Sequence, residues 1–189
     1  MNRKSKMIIW IWAIILMIPV GFACSAGDDE PIIEEEKAFA LLSSEIGDDN
    51  MLPSRYTCDG EGIILPLEWE NPPGDVQSFT LIMSHEAPED IHCYWILYNI
   101  PADVIELLGN VSGIGNLGTN TVNGLCEYAP PCSQGPGEKT YIFTLYALSS
   151  VLEIDIPLTE VDYGFIMNEL EAITLDSTSL TVQYSRQIN

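Results

Sequence analysis

The sequence predicts a mainly β protein: an antiparallel β-sandwich with one or two peripheral helices. Several short runs rich in aromatic and β-branched residues are separated by turn residues, which is typical of β-sheet proteins. A single segment with helical periodicity comes late in the chain, and this order favours packed sheets with a helix at the periphery. The 189 residues suffice for one domain with a sizeable hydrophobic core.

Four runs are predicted to be strands: 78–84, 94–100, 140–148 and 179–184. In 140–148 both alternating faces are largely apolar, so we expect this strand in the middle of a layered structure. Turn signals lie between the runs, at Asn71-Pro72-Pro73-Gly74 and at Gln134-Gly135-Pro136-Gly137. The Gly-, Asn- and Thr-rich stretch 110–123 predicts a long exposed loop.

The helix is predicted over 159–173. Its apolar residues recur at helical spacing, at Val161, Phe165, Ile166, Leu170 and Ile173. Thr159, followed three residues later by Asp162, resembles a capping box and would start the helix. We expect one amphipathic helix packed on a sheet.

The amino terminus is typical of an export signal. Basic residues precede an apolar run at 7–20, which small residues and then Cys24 follow. This arrangement resembles a lipoprotein signal, in which a diacylglycerol thioether on Cys24 anchors the new terminus, although Gly21 stands where Leu is usual. An uncleaved membrane anchor and plain secretion are the alternatives. All three place the domain outside the cytoplasm.

Three regions follow from this interpretation: a signal peptide at 1–23, an acidic tether at 24–38 and the folded domain at 39–189. The formal net charge of the whole chain is −21, and it becomes −24 without the signal, with four basic residues left against 28 acidic ones. A polyanion of this size repels nucleic-acid phosphates, so nucleic-acid binding is excluded as a function.

Four cysteines remain in the domain: Cys58, Cys93, Cys126 and Cys132. An even number in an exported domain suggests disulfide bonds, and four cysteines allow three pairings. Cys126 and Cys132 are close enough in sequence to close a small loop. The sequence leaves the pairing open.

Metal and catalytic chemistry have little support in the sequence. His85 and His92 flank a Pro-containing turn and, with Glu86, could approach a metal, but two exposed loop histidines are the simpler interpretation. Ser84 and His85 are adjacent, and neighbours on a strand point to opposite faces, so they do not form a nucleophile–base pair. No cofactor is implied and we expect no enzymatic activity.

Five motifs follow one another along the chain: Tyr56-Thr57-Cys58-Asp59-Gly60, Pro66-Leu67-Glu68-Trp69, Glu86-Ala87-Pro88, Tyr94-Trp95-Ile96-Leu97-Tyr98-Asn99-Ile100-Pro101 and Tyr141-Ile142-Phe143-Thr144-Leu145-Tyr146-Ala147-Leu148. In this order they resemble the phosphatidylethanolamine-binding protein family, in its prokaryotic branch of Raf-kinase-inhibitor-like proteins. The resemblance covers about 51–186. It implies two antiparallel sheets with one or two helices. Because this family often has cysteine at positions 58 and 132, it is also an open alternative that both are free buried thiols.

The resemblance also implies a small surface cavity for phosphate-like or carboxylate anions, such as the head group of phosphatidylethanolamine. It places six residues there: Ser84, Glu86, Tyr94, Pro131, Lys139 and Tyr141. Ser84 and Glu86 stand in for two acids of the family, and Tyr94 stands in for a histidine. Of the family's His-Arg-Tyr motif only Tyr141 survives, with Lys139 in place of the histidine. A Gly-His pair near the family's carboxyl terminus corresponds to Ala172-Ile173 here.

Two functions are compatible with these departures. The first is a membrane-tethered, extracytoplasmic binding protein with a modified pocket for a small anion or a phospholipid head group, in which Lys139 supplies a permanent charge. The second is a protein-interaction module that inhibits a secreted hydrolase, with the ligand pocket lost and both tyrosines packed in the core. A protein partner is expected in the second case.

Overall fold

The computed structural model describes residues 37–133 and 137–186. Two antiparallel sheets make up the fold. The smaller sheet has the order β1 (Ala40–Leu42), β2 (Leu67–Glu70) and β5 (Glu106–Leu107). The larger has the order β6 (Asn116–Leu117), β4 (Ile91–Pro101), β3 (Ser78–Glu86), β7 (Glu138–Leu148) and β8 (Thr174–Ser185). The predicted β-sandwich is confirmed.

The larger sheet buries both of its faces. On one face Phe79, Leu81 and Phe143 pack against Leu67 and Trp69 of the smaller sheet, forming the sandwich core. Alternate residues of the same strands form a second core on the opposite face, under the helix. As the apolar pattern predicts, β7 lies inside the sheet, between β3 and β8, and contributes to both cores.

The helix α1 spans Tyr163–Leu170 and is shorter than the segment predicted. It packs against the larger sheet through Ile166 and Leu170, as its amphipathic pattern predicts. Its N-cap is Asp162, whose carboxylate accepts a hydrogen bond from the Phe165 amide at 2.9 Å. The predicted cap at Thr159 is wrong, because Thr159 lies in a separate 3-10 turn, Leu158–Glu160. Within the described part of the chain, no helix has the length and apolarity needed to cross a membrane.

The stretch 110–123 is only partly an exposed loop. It contains β6, which pairs with β4 at the edge of the sheet. Farther on, Asn120 is 1% exposed and holds the chain in place, since its side-chain amide donates to the carbonyls of Leu125 and Glu127. Composition alone predicted exposure here, whereas the buried amide of Asn120 satisfies backbone groups of its own loop, and hydrogen bonds between Thr121 and Cys93 of β4 hold the segment against the sheet.

A β-bulge in β4 decides which face of the sheet the side chain of Tyr94 joins. Met83 pairs with Trp95 and Ser84 with Cys93, so Tyr94 is an extra residue without a partner on β3. Such a residue disrupts the alternation of the strand and re-aims a side chain. As a result Tyr94 and Trp95, although adjacent, both pack on the sandwich-core side.

Candidate functional site

A cleft of about 200 Å³ lies where one end of β3, β4 and β7 meets the loop before β7. It is lined by aromatic, imidazole, hydroxyl and ammonium side chains: His85, Ala87, Pro88, His92, Tyr94, Cys132, Ser133, Lys139 and Tyr141. Pockets for drug-sized ligands usually enclose about 300–1,000 Å³. A cleft of this size therefore suits a small group rather than a large molecule.

Two tyrosines form the buried wall of the cleft. Tyr94 is 7% and Tyr141 is 1% exposed, and their ring centres lie 5.2 Å apart, edge to face. Burial raises the pKa of both phenols, most strongly that of Tyr141, which the neighbouring Tyr94 raises further. A hydrogen bond to Tyr141 partly offsets the rise in the pKa of Tyr94. Both hydroxyl groups are protonated at neutral pH, and because the two phenols hydrogen-bond to each other, one hydroxyl hydrogen is left to donate into the cleft.

Two histidines line the outer part of the cleft. His85 on β3 and His92 on β4 are register partners, and their ring centres are 6.2 Å apart. The ring of His85 also packs against Tyr141 at 5.5 Å. The interpretation of both histidines as loop residues is wrong, because each lies on a strand; His92 is exposed as expected, whereas His85 is half-buried.

The hydrogen bond of His85 fixes which of its nitrogens carries hydrogen. Its Nδ1 lies 2.7 Å from the carbonyl oxygen of Thr140. Because a carbonyl can only accept, Nδ1 must donate, and in a neutral ring Nε2 then holds a free lone pair.

Among the described residues, Lys139 on β7 is the one lysine or arginine that lines the cleft. The two arginines of the domain are occupied elsewhere, Arg55 with Glu45 and Arg186 with Asp59. Within residues 37–133 and 137–186, Lys139 forms no ion pair. Its ammonium group is therefore not neutralised by a carboxylate of the described chain.

A disulfide bond between Cys58 and Cys132 fixes the loop side of the cleft. The pairing of Cys126 with Cys132 and the alternative of free thiols at Cys58 and Cys132 are both wrong. Cys93 and Cys126 are the free thiols of the described residues. Spacing along the chain could not select the pair, because 74 residues separate its members.

An ionic network continues from the disulfide. Asp59 pairs with Arg186 at 2.7 Å and accepts a hydrogen bond from the Tyr184 hydroxyl at 2.8 Å. Arg186 also donates to the Ser133 carbonyl at 3.3 Å. These contacts tie the cleft wall at 132–133 to the end of β8, so the wall is held from two sides.

Three of the six predicted ligand-binding residues meet in the cleft: Tyr94, Lys139 and Tyr141. The structure does not bring Ser84 and Glu86 into it. They alternate with His85 along β3 and lie on the other face of the sheet. Glu86 contributes to raising the pKa of Tyr163 on the helix, after burial and Cys93, which places its carboxylate on the helix side.

Pro131 is buried beside the cleft but does not line it, and its carbonyl accepts a hydrogen bond from the Cys58 amide at 3.0 Å. His85, His92 and Ser133 also line the cleft, although the sequence did not predict them there. The alternation of β3 could have identified His85, since a strand that sends Met83 to the sandwich core sends His85 the same way. Cys24 lies outside the described residues.

Two candidate nucleophiles that the sequence offered, Ser84 and Cys132, are not placed for attack in the cleft. Cys132 is in a disulfide, and Ser84 lies on the face opposite His85, so a serine–histidine pair is not formed. What the cleft offers is a cation and two protonated phenols close together. This combination suits an oxyanion, which accepts hydrogen bonds and carries negative charge.

The sequence profile of the phosphatidylethanolamine-binding protein family matches residues 42–185. The chain belongs to this family. A member described as a UPF0098 protein, from Methanothermobacter thermautotrophicus, is 34% identical over 152 residues, which cover 77% of this chain and 98% of that protein. A second UPF0098 protein, from Aquifex aeolicus, is 39% identical over 117 residues, covering 58% of this chain and 67% of the relative.

Solved structures of the phosphatidylethanolamine-binding type show the same fold. A homologue from Chlamydia trachomatis superposes with a TM-score of 0.69 at 27% identity, covering 79% of this chain and 99% of that one. E. coli YbcL, described as a member of the mammalian family, also gives a TM-score of 0.69, at 21% identity, over 80% of this chain and the whole of its own. The resemblance drawn from the five motifs is thus confirmed, and so is the fold that it implied.

Proposed function

We propose that this phosphatidylethanolamine-binding-type protein is a non-catalytic, membrane-tethered, extracytoplasmic binding protein, whose cleft holds a small oxyanion. The chemistry fits a phosphate, either free or as part of a phospholipid head group. The observation that carries the proposal is the ammonium group of Lys139. It lines the cleft beside two phenols and has no carboxylate partner among the described residues.

The surroundings of Lys139 explain why it is the decisive group. An anion must enter against the field of a strongly acidic protein, so a local cation has to offset that repulsion. A charge-assisted hydrogen bond from an ammonium group to an anionic oxygen is worth about 1.5–3 kcal/mol. The hydrogen-bonded phenols of Tyr94 and Tyr141 add a donor, and burial raises the pKa of both, so they stay protonated.

The proposal of a membrane tether is supported by the sequence of the amino terminus. Basic residues, an apolar run and Cys24 are followed by a run of small and acidic residues. A lipid on Cys24 would hold the domain near a membrane whose head groups carry the phosphate that the cleft suits.

The test measures the binding of inorganic phosphate and of phosphoethanolamine, by the shift in melting temperature and by calorimetry. Both should stabilise the native protein, since a ligand that binds only the folded state raises its stability. Lys139→Ala should weaken phosphate binding by at least about tenfold, which corresponds to the loss of one charge-assisted contact.

Lys37→Ala is the matched control. Lys37 is exposed and does not line the cleft, so this change lowers the net charge equally but should leave phosphate affinity unchanged. Tighter binding of phosphoethanolamine than of phosphate would favour a lipid head group over a free anion. Equal effects of the two lysine changes would show a general charge effect and contradict the proposal. Failure of every anion to bind would favour the alternative, inhibition of a secreted hydrolase through protein contacts.

A further inference from the structure

We propose that His85 and His92 form a two-imidazole site for a divalent transition-metal ion of the Zn²⁺ type at the outer part of the cleft. The proposal stands apart from the anion function, because it uses the two histidines and not Lys139. It rests on three features of the pair: their register, the hydrogen bond of His85, and the distance between the rings.

The register places both rings on one face of the sheet. His85 and His92 are directly opposite each other on neighbouring antiparallel strands, so their side chains project the same way. Both line the cleft. Glu86, which the sequence suggested as a third ligand, follows His85 on the strand and projects to the other face.

The distance between the rings allows one ion to contact both. A Zn–N bond of about 2.0 Å, plus about 1.2 Å from nitrogen to ring centre, puts each ring centre about 3.2 Å from a bound ion, so two centres can be at most about 6.4 Å apart. The observed 6.2 Å lies within this limit. A bent, tetrahedral arrangement needs the rings about 1 Å closer, and the exposed ring of His92 can move by that much through its side-chain torsions.

The tautomer of His85 prepares it as a ligand. Its Nδ1 donates to the Thr140 carbonyl at 2.7 Å, which leaves the Nε2 lone pair for an ion. Histidines that bind metals commonly donate their other ring hydrogen to a backbone carbonyl, which fixes the ring orientation and increases the basicity of the ligand nitrogen. His85 has this arrangement without an ion.

The charge of the protein also favours a cation. With 28 acidic residues against seven basic ones, the chain attracts positive ions. Among the described residues no group of three or more His, Cys, Asp or Glu side chains gathers that could hold an ion. Water must therefore complete the coordination, and the ions selected are those that prefer imidazole, such as Zn²⁺, Ni²⁺ and Cu²⁺.

The test is calorimetric titration of the full chain with ZnCl₂ in a phosphate-free buffer. The wild-type protein should bind one equivalent above the background of surface carboxylates. His92→Gln should weaken this binding at least tenfold, and so should His85→Gln. Because His92 is exposed, His92→Gln should fold normally, which thermal unfolding without metal checks. Glu89→Gln, on the same hairpin, removes a negative charge but no imidazole and should change the affinity less than twofold.

Two more variants distinguish imidazole ligands from a thiol ligand and the metal site from the anion site. Cys126→Ser should leave Zn²⁺ affinity unchanged, which excludes the free thiol as the ligand. Lys139→Ala should strengthen Zn²⁺ binding, because it removes a like charge from the cleft, whereas the same change should weaken phosphate binding. Wild-type affinity in both His→Gln variants would overturn the metal site and leave the anion proposal untouched.

Discussion

The free thiols differ sharply in their surroundings. Cys93 is fully buried on the helix side of the sheet. Burial raises its pKa to about 12, although a hydrogen bond to the Trp95 carbonyl acts in the opposite direction. Cys126 is partly exposed, near the carbonyl of Leu158. Since the thiolate is the reactive species, Cys93 should be inert in the native protein and Cys126 should react.

A thiol count checks this difference, and with it the proposed lipid. Protein extracted from membranes and treated with Ellman's reagent at pH 8 should show one reactive thiol in the native state, from Cys126. After denaturation without a reductant it should show two, because Cys93 becomes accessible while Cys58 and Cys132 stay paired. Cys126→Ser should lower each count by one. A third thiol after denaturation would mean that Cys24 carries no thioether.

At the scale of single residues, the sequence indicated where the cleft lies but not all of the side chains that line it. Lys139 and Tyr141 were assigned from the resemblance, and both line the cleft because they alternate along a regular strand. Tyr94 was predicted from resemblance, although a bulge is what turns it towards the cleft. Ser84 was assigned by the position of its motif, and strand alternation places it on the other face. The face of a side chain depends on register, which a motif does not specify.

At the scale of elements, the start of the helix makes a testable contrast. Asp162→Ala should lower the free energy of unfolding by about 1 kcal/mol, since it removes the carboxylate that caps the Phe165 amide. Thr159→Ala should cost less than about 0.5 kcal/mol, because Thr159 is exposed and lies outside the helix. Urea denaturation of both variants measures the two values. A larger loss of stability in Thr159→Ala than in Asp162→Ala would support the capping box at Thr159 that the sequence predicted.

The long strands were predictable and the short ones were not. β3, β4, β7 and β8 all contain the predicted runs and extend beyond them. The apolar residues of β3, β4 and β7 are largely buried, as are Val182 and Tyr184 of β8, so the pattern is visible in sequence. By contrast, β5 and β6 have two residues each and exist only through pairing with a neighbouring strand. Such pairing leaves no periodic signal in a segment so short.

At the scale of the whole molecule, alkaline pH should unfold the protein cooperatively. Burial is the main cause that raises the pKa of all eight tyrosines. The folded state therefore holds these phenolic protons more tightly than the unfolded state. This contribution to stability is complete below the unfolded pKa of about 10 and is lost as pH rises through the folded values. The melting temperature should fall steeply above about pH 10.

Absorbance at 295 nm measures phenolate formation and provides the check. In the native protein the signal should rise late and in one step with unfolding, whereas protein in urea should titrate gradually near pH 10. Gradual ionisation of the tyrosines in the native protein, with no loss of structure by circular dichroism, would contradict the coupling of tyrosine ionisation to unfolding.

The last strand of the chain has a consequence for how the protein is made. Gln183, on β8, accepts from the amide of Leu52 and donates to the carbonyl of Asn50, so the carboxyl-terminal strand completes contacts with the beginning of the domain as well as with β7. Contacts between distant parts of a chain form only after both parts are available. The sandwich can therefore close only once β8 has left the ribosome. Until then the amide of Leu52 and the carbonyl of Asn50 lack the backbone partner that they have in the folded domain.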